Sequence, residues 1–336
     1  MDEKYMRRAI ELARKGEGHV NPNPLVGAVI VRDEEILAEG YHARYGDLHA
    51  ERSAFANLKT DATGAEMYVT LEPCCHYGKQ PPCTQAIIEH GIRKVYVGSD
   101  DPNALVAGKG IRQLQDAGIT VETHVLKEEC DALNDVFFHY ITTHTPYVVM
   151  KYAMTMDGKI ACHTGASKWV TGEEARAHVQ RMRNKYTGIM VGVQTVLADD
   201  PLLTCRIPEG RNPIRIICDS SLRTPLDSQI VRTAEEVETI LATVKEDPER
   251  IAAYEEKGVQ VLVTRQKDGR VDLADLMEKL GERKIDSILL EGGGEVLEIL
   301  LGYRQRKEII DSLLDFASYL FYYINIEVTY ELLTLE

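Results

Sequence analysis

The sequence predicts two α/β domains joined in tandem. The chain has 336 residues, more than the roughly 100–200 residues of a typical single domain. Short apolar runs alternate with helical patterns in both halves, which is typical of sheets covered by crossover helices. Hydrophobic residues make up 44% and charged residues 27%, as in ordinary soluble globular proteins. We place the linker at residues 143–148.

The first half begins with an amphipathic helix, MDEKYMRRAIELARK, which has acidic residues in its first turn and ends at Gly16. Two neighbouring strands follow, joined by a turn at Asp33 and Glu34. These strands are predicted over residues 25–31 and 35–42. Beyond them we predict helices over 49–59, 84–90 and 110–117, and strands over 67–71, 94–98 and 120–126.

The second half shows the same alternation of strands and helices. It starts with a predicted strand over residues 147–155 that turns at Asp157 and Gly158. Five further buried strands are predicted over residues 188–192, 214–219, 239–244, 259–264 and 287–293. Helices fit between them, notably over residues 172–184 and 272–280.

Composition and charge narrow the class of function. The net charge of −14 argues against nucleic-acid binding, because that role needs a basic surface, but it permits a small anionic substrate. No stretch has the ~18 apolar residues of a membrane span, and the N-terminus lacks a signal peptide's apolar core. Seven cysteines, an odd number, do not suggest a disulfide framework and favour a reducing cytoplasm. A homo-oligomer is left open.

Two stretches, HAERSA at 49–54 and LEPCCHYGKQPPC at 71–83, concentrate groups that could bind a metal. A hydrolytic zinc ion needs three protein ligands and an open position, and a carboxylate outside the ligand set must move protons. His49, Cys74 and Cys83 can supply the ligands, and Glu51 the carboxylate. The alternatives are ordinary core residues, or a structural zinc whose fourth ligand is Cys75 or His76.

This pattern resembles the zinc-dependent nucleobase deaminases, in which H-x-E is followed by P-C and a second Cys. Eight residues separate Cys74 from Cys83, and together with the opening NPNPLVGAVIV this spacing resembles the bifunctional riboflavin-biosynthesis deaminase/reductase family. The resemblance implies a cytidine-deaminase-like α/β/α domain over residues 1–144. It also implies a dihydrofolate-reductase-like α/β domain over residues 147–302.

The family's deaminase site implies roles for particular residues of the first half. Its zinc ligands fall on His49, Cys74 and Cys83, and its proton-shuttling glutamate falls on Glu51. The implied substrate is a pyrimidine that carries amino groups and a ribosyl phosphate. Its implied contacts fall on Asn23, His42, His76 and Lys79. The segment 101–103 (DPN) resembles another part of this pocket, although a simple turn would explain Asp101 equally well.

The second half resembles the reductase domain of the same family in KYAMTMDGKIA, GASKWVTGEEAR and LLEGGG. NADPH contacts are implied at Ala153, Trp169, Thr195, Asp199, Ser220, Gly292, Gly293 and Gly294. Substrate contacts are implied at Ser167, Arg183, Leu203, Arg206 and Glu291. Independently of the resemblance, the glycine run follows a strand and opens a helical pattern, so its N–H groups could approach a phosphate. Arg183 and Arg206 could hold the substrate phosphate by paired hydrogen bonds.

Residues 303–336 depart from the family pattern and contain neither Gly nor Pro. We expect an atypical, truncated C-terminus there, and hence an incomplete reductase sheet with an exposed edge that the aromatic tail could cover.

The favoured hypothesis is a two-step enzyme of riboflavin biosynthesis that uses zinc in one half and NADPH in the other. One alternative is a deaminase attached to an inactive reductase scaffold, which NADPH binding would distinguish. A transfer-RNA adenosine deaminase fits poorly with the acidic charge and the cysteine spacing. A non-catalytic module stabilised by zinc is the alternative from another class, and there a Glu51→Gln change would leave function intact.

Overall fold

A computed structural model describes residues 2–78, 80–151 and 172–291 of the chain. The chain divides into two compact units, one formed by residues 1–147 and 280–286 and the other by residues 148–279 and 287–336. Both units have the predicted α/β organisation, with a separate sheet in each.

A five-stranded sheet with the order β2-β1-β3-β4-β5 forms the centre of the first unit. The strands are β1 Gly27–Arg32, β2 Glu35–Tyr41, β3 Glu66–Leu71, β4 Lys94–Ser99 and β5 Thr120–Glu122. Strand β1 is antiparallel to both of its neighbours, whereas β3, β4 and β5 are parallel. The helices are α1 Glu3–Arg14, α2 Ala50–Ala56, α3 Cys83–Glu89, α4 Lys109–Asp116, α5 Lys127–Asp131 and α6 Asp135–Thr143.

Alternate residues of β1 enter two different cores, as the pleat of a strand requires. Ala28 and Ile30 pack into the cluster that contains residues of α2, α3 and α4. Val29 and Val31 pack into the cluster that contains residues of α1. At the α1 interface a Cβ atom on Gly27 would lie 2.0 Å from the carbonyl oxygen of Ala9, so only glycine permits this approach. The result is a three-layer α/β/α unit.

The second unit contains a six-stranded sheet with the order β10-β9-β8-β7-β13-β6. Its strands are β6 Tyr147–Lys151, β7 Gly188–Gly192, β8 Ile214–Cys218, β9 Thr239–Thr243, β10 Val259–Val263 and β13 Ser287–Glu291, and a small hairpin consists of β11 Gln266–Lys267 and β12 Arg270–Val271. Its helices are α7 Glu173–Lys185, α8 Val193–Asp199, α9 Gln229–Arg232, α10 Pro248–Glu255 and α11 Leu273–Glu282. The pairings of β13 with β7 and of β7 through β10 are parallel.

An arginine lies inside the core of this second unit. Arg215, on β8, is 0% exposed. Its guanidinium donates to backbone carbonyl oxygens of Leu202, Ile230, Thr233 and Val237 and to two threonine hydroxyls. Burial lowers its pKa to about 10, so the side chain stays protonated at neutral pH. Its hydrogen bonds hold the loop after α8 and the end of α9 against the sheet.

The structure shortens one predicted strand and adds elements that the sequence patterns did not predict. Strand β5 ends at Glu122, and the prediction over 120–126 is wrong beyond it because His124 and Leu126 have positive φ angles of 65° and 53°. Helices α5 and α6 and the β11–β12 hairpin were not predicted, and no bounds were predicted for α8, α9 and α10. In the part of the chain that the structure describes, no helix is both long and apolar enough to cross a membrane.

Candidate active sites

Three chain segments bring the predicted metal ligands together in the first unit. His49 is the residue immediately before α2, and Cys83 is the first residue of α3. Cys74 follows β3 by three residues. The carboxyl ends of parallel strands and the starts of the following helices meet at one edge of the sheet, where α/β proteins usually bind ligands.

The ligand atoms lie close enough to share one ion. Nδ1 of His49 is 3.5 Å from Sγ of Cys74 and 3.4 Å from Sγ of Cys83. All three atoms lie within 4.8 Å of one another. One imidazole nitrogen and two thiol sulfurs form a donor set that fits zinc, with room for a fourth, non-protein ligand.

Local hydrogen bonds prepare Cys74 to act as a thiolate. The backbone N–H of Cys83 donates to Sγ of Cys74 over 3.3 Å. Hydrogen bonding to the Cys83 side chain and then to His49 lowers the pKa of Cys74. Since the thiolate is the form that binds metal, this environment favours ligation.

Glu51 lies in the first turn of α2, two residues after His49, and is 3% exposed. It is not part of the group of ligand atoms. Burial raises the pKa of its carboxyl group above the usual range. A buried carboxyl group beside the ligands, but outside their set, is placed to exchange protons with a bound substrate.

Two residues of the predicted pocket rim are joined by a hydrogen bond. The side-chain amide of Asn23 donates to Nε2 of His42 over 3.1 Å, and Nδ1 of His42 donates to the carbonyl oxygen of Leu48 over 3.0 Å. Burial lowers the pKa of His42, so its ring is neutral and these bonds define its tautomer. The ring meets that of His49 edge-on, with centroids 5.5 Å apart.

Of the other residues predicted to line the pocket, the structure describes His76 and Asp101. Nδ1 of His76 is buried and has no hydrogen-bond partner among the described residues. Asp101 is 7% exposed, accepts the backbone N–H of Asn103, and has a pKa that burial raises to about 6. Lys79 lies outside the described residues.

Glu72 is a residue near the site to which we assigned no role from the sequence. It is 3% exposed and accepts backbone N–H groups of Gly108 over 2.9 Å and Ile111 over 3.2 Å. These groups are at the start of α4, almost 40 residues further along the chain. The only sequence signal was a charged residue between an apolar strand and Pro73.

In the second unit, two residues predicted to contact substrate bind each other. Nε and Nη2 of Arg183 donate to the two carboxylate oxygens of Glu291, each over 2.9 Å. Nη1 of Arg183 donates to the carbonyl oxygen of Thr204 over 3.0 Å. Both charged side chains are nearly buried, at 11% and 12% exposure. Three of the five N–H donors of Arg183 are thus used by described partners, which leaves two.

The remaining predicted reductase residues follow the ends of sheet strands. Thr195 and Asp199 lie on α8, directly after β7, and Ser220 follows β8 and accepts the backbone N–H of Val271. Leu203 is buried with a φ of 52°, and Arg206 is exposed. Ala153, Ser167, Trp169, Gly292, Gly293 and Gly294 lie outside the described residues.

The fold and the ligand set of the first unit define a zinc-dependent deaminase domain. Residues 1–99 match the model of the cytidine and deoxycytidylate deaminase zinc-binding region, and residues 146–312 match the RibD C-terminal domain. The chain is 59% identical over 295 residues to riboflavin biosynthesis protein RibD of Actinobacillus pleuropneumoniae, which covers 88% of this chain and 78% of that protein. The RibD protein of Aquifex aeolicus is 45% identical over 302 residues, which cover 90% of this chain and 83% of that protein. The chain belongs to the RibD family.

Solved structures agree with this assignment. The diaminohydroxyphosphoribosylaminopyrimidine deaminase/5-amino-6-(5-phosphoribosylamino)uracil reductase of Thermotoga maritima is 43% identical, with a TM-score of 0.80 over 90% of this chain and 83% of that one. The RibD protein of Acinetobacter baumannii is 36% identical, with a TM-score of 0.81 and the same coverage of 90% and 83%.

The chain is therefore a bifunctional enzyme of riboflavin biosynthesis. It combines a zinc-dependent deaminase domain with an NADPH-dependent reductase domain. This confirms the predicted family, fold class, activities and cofactors.

Proposed function

We propose that the first unit deaminates 2,5-diamino-6-(5-phosphoribosylamino)pyrimidin-4-one and that the second reduces the ribosyl group of the product to ribityl. The relative from Thermotoga maritima is named for these two reactions. The observation that carries the proposal is the approach of one imidazole and two thiols to within 4.8 Å, next to a buried carboxyl group that is not a ligand.

His49, Cys74 and Cys83 hold the zinc ion in this proposal. When bound, zinc supplies a Lewis acid that makes water a nucleophile near neutral pH. The two sulfurs are brought together by the N–H···S bond between Cys83 and Cys74. Cys75 points elsewhere, because its thiol donates to the carbonyl oxygen of Leu105 at 3.7 Å, which favours a site with three protein ligands.

Glu51 moves the protons of the hydrolytic step. Its carboxylate takes a proton from the attacking water and delivers it to the ring nitrogen. It then moves the hydroxyl proton of the adduct to the amino group, which leaves as ammonia while the ring carbon becomes a carbonyl. Burial excludes bulk water and raises the pKa of Glu51, so the protonated form is accessible during turnover.

His42 and Asn23 bind and orient the pyrimidine. Because Nδ1 of His42 donates to Leu48, its Nε2 is an acceptor and fixes the Asn23 amide through the NH₂ group. The Asn23 carbonyl oxygen is then directed away from His42 and can accept a hydrogen bond from an amino group of the ring. His76 and Lys79 are assigned to the same pocket.

In the second unit, Arg183 holds the sugar phosphate. Glu291 and Thr204 fix its guanidinium plane, and its two remaining N–H donors can bind an anion. Arg206, Ser167, Leu203 and Glu291 complete the substrate contacts. When bound, NADPH supplies the hydride for the ribosyl carbon. The cofactor contacts are assigned to Ala153, Trp169, Thr195, Asp199, Ser220 and Gly292 to Gly294.

Two further observations support the cellular location and the kind of partner that we propose. All six cysteines of the described residues are unpaired, which fits a reducing cytoplasm. The partner is a small phosphorylated pyrimidine rather than a nucleic acid, since the chain has a net charge of −14.

Ammonia release by a Glu51→Gln variant tests the proposed deamination. We expect the rate to fall by about 100- to 10,000-fold, since positioned acid–base groups contribute roughly 10²–10⁴-fold, while bound zinc remains at one ion per chain. Glu89→Gln, at the exposed end of α3, is the matched control and should keep the wild-type rate. A Glu51→Gln variant that deaminates normally would refute the assignment.

A further inference from the structure

Helix α4 contacts both chain segments that carry the sulfur ligands. Backbone N–H groups at its start donate to the carboxylate of Glu72, which lies two positions before Cys74. Further along the helix, Gln113 accepts a hydrogen bond from the hydroxyl of Thr84 over 2.8 Å, and Thr84 directly follows Cys83. One helix thus connects two loops that must keep a fixed separation for both sulfurs to bind one ion.

The contact at Glu72 is tight and buried. The carboxylate oxygens accept two backbone N–H groups at the start of α4, where the helix macrodipole favours a negative charge. Next to it, a Cβ atom on Gly110 would lie 2.1 Å from the carbonyl oxygen of Pro73. The helix backbone therefore packs directly on the residue that precedes Cys74, with no side chain between them.

The contact at Thr84 links the two sulfur-bearing segments to each other. Thr84 is 0% exposed, and its backbone N–H donates to the carbonyl oxygen of Cys74 over 3.2 Å. Its hydroxyl is 3.3 Å from the same oxygen and 2.8 Å from Oε1 of Gln113. The shorter distance makes Gln113 the main acceptor of the single hydroxyl proton.

We propose that Glu72 is a positioning residue that keeps zinc in the deaminase site by clamping α4 onto the Cys74 segment, with Thr84 and Gln113 as the weaker second tether. This inference rests on the proposed zinc ligands. Groups that orient metal ligands without touching the metal commonly contribute 10–100-fold to metal affinity. Glu72 is suited to this role because it holds two donors of a second element, whereas a surface carboxylate would hold none.

A Glu72→Gln change removes the negative charge and one of the two acceptors at the start of α4. The new NH₂ group would face a backbone N–H, so that helix end must move away from Pro73. We expect zinc to leave at least about 10-fold faster than from the wild type, measured with an excess of a coloured chelator. Excess zinc should restore the deamination rate, because Glu72 does not touch the substrate.

Two controls separate this role from a general loss of stability. Asp2→Ala removes another carboxylate that accepts a helix N–H, here from Lys4 at the start of α1, far along the chain from the ligands. Val31→Ala removes apolar packing on the face of the sheet that carries α1. Each control should lower the urea midpoint of unfolding and leave the rate of zinc loss within about twofold of the wild type.

A second pair of variants tests the weaker tether in case Glu72→Gln does not fold. Thr84→Val keeps the shape of the side chain but loses the hydroxyl, and we expect about 3- to 10-fold faster zinc loss. Thr84→Ser restores the hydroxyl and should restore retention. The proposal is overturned if folded Glu72→Gln keeps zinc as long as the wild type or, where that variant does not fold, if Thr84→Val does. It is also overturned if the controls lose zinc as fast as these variants. A wild-type chain that binds no zinc would instead refute the proposed ligands.

Discussion

The two active regions of this chain are organised in different ways. In the first unit the reactive groups are already assembled, with three ligand atoms within 4.8 Å of one another and a buried carboxyl group beside them. In the second unit the charged groups assigned to the substrate, Arg183 and Glu291, are paired with each other. In the proposed function the first region binds one resident ion, whereas the second must accept a cofactor and a sugar phosphate at each turnover.

The two regions also differ in the sign and the place of a buried charge. The deaminase region buries the carboxylate of Glu72 against the start of a helix, next to the ligands. The reductase region buries the guanidinium of Arg215 under a loop that leads to Leu203 and Thr204. In both regions a buried charge, satisfied by backbone groups, fixes a loop. Only in the first region does that loop carry a proposed metal ligand, Cys74.

The largest expected effect follows from the loss of one proposed zinc ligand, which should affect the first region and leave the second unchanged. Cys83→Ser should lower ammonia release by at least about 1,000-fold, because one of three zinc ligands is lost. Reduction of substrate that is already deaminated should stay within about twofold of the wild type. The matched control is Cys75→Ala, which should keep both zinc and activity. Loss of zinc in Cys75→Ala would show instead a structural site with four protein ligands.

A smaller effect is expected from the ion pair in the second unit. Arg183→Met leaves Glu291 buried without its partner and removes the two donors assigned to the phosphate. Truncating such a pair costs about 2–5 kcal/mol, so we expect kcat/KM for reduction to fall about 100-fold, mainly through KM, with deamination unchanged. Arg181→Met, at an exposed position of the same helix, should have the wild-type KM. If Arg183→Met keeps the wild-type KM, Arg183 has only a structural role.

The smallest effect concerns the stability of the first unit and its pH dependence. Burial raises the pKa of Asp101 to about 6, above its ordinary value of 3.8, so the folded state holds this proton more tightly than the unfolded state. The resulting loss of stability grows as pH rises from about 4 to about 6 and is complete above that range. Asp101→Asn should therefore raise the free energy of unfolding by about 3 kcal/mol at pH 8 and change it little at pH 4.

Urea unfolding at the two pH values measures this change. The Asn side chain can still accept the N–H of Asn103 through its oxygen, so the local turn is kept. Equal effects of Asp101→Asn at pH 4 and pH 8 would mean that ionisation of Asp101 does not limit stability.

The residues of the candidate metal site and the main strands could be predicted because their signals are local in the sequence. His49 and Glu51 are two residues apart, and Cys74 directly follows the P of E-P-C at the end of an apolar run. Buried parallel strands such as β7 and β8 are short runs of apolar residues between turns. Such patterns need no knowledge of distant parts of the chain.

The contacts that organise the sites could not be predicted because they join distant segments. Glu72 binds the start of α4, and Arg183 binds Glu291 across 108 positions of the chain. From the sequence alone, each of these charged residues cannot be distinguished from an exposed one. The early end of β5 likewise depends on the left-handed backbone of His124 and Leu126, a conformation that is uncommon for residues other than glycine.

The most direct test of two reactions in series is NADPH oxidation by zinc-loaded wild type and Glu51→Gln, each given the diamino substrate and, separately, its deaminated product. We predict that the wild type oxidises NADPH with both compounds and that Glu51→Gln does so only with the deaminated one. Oxidation by Glu51→Gln with the diamino substrate at the wild-type rate would contradict the account, because reduction would then not require the deaminase site.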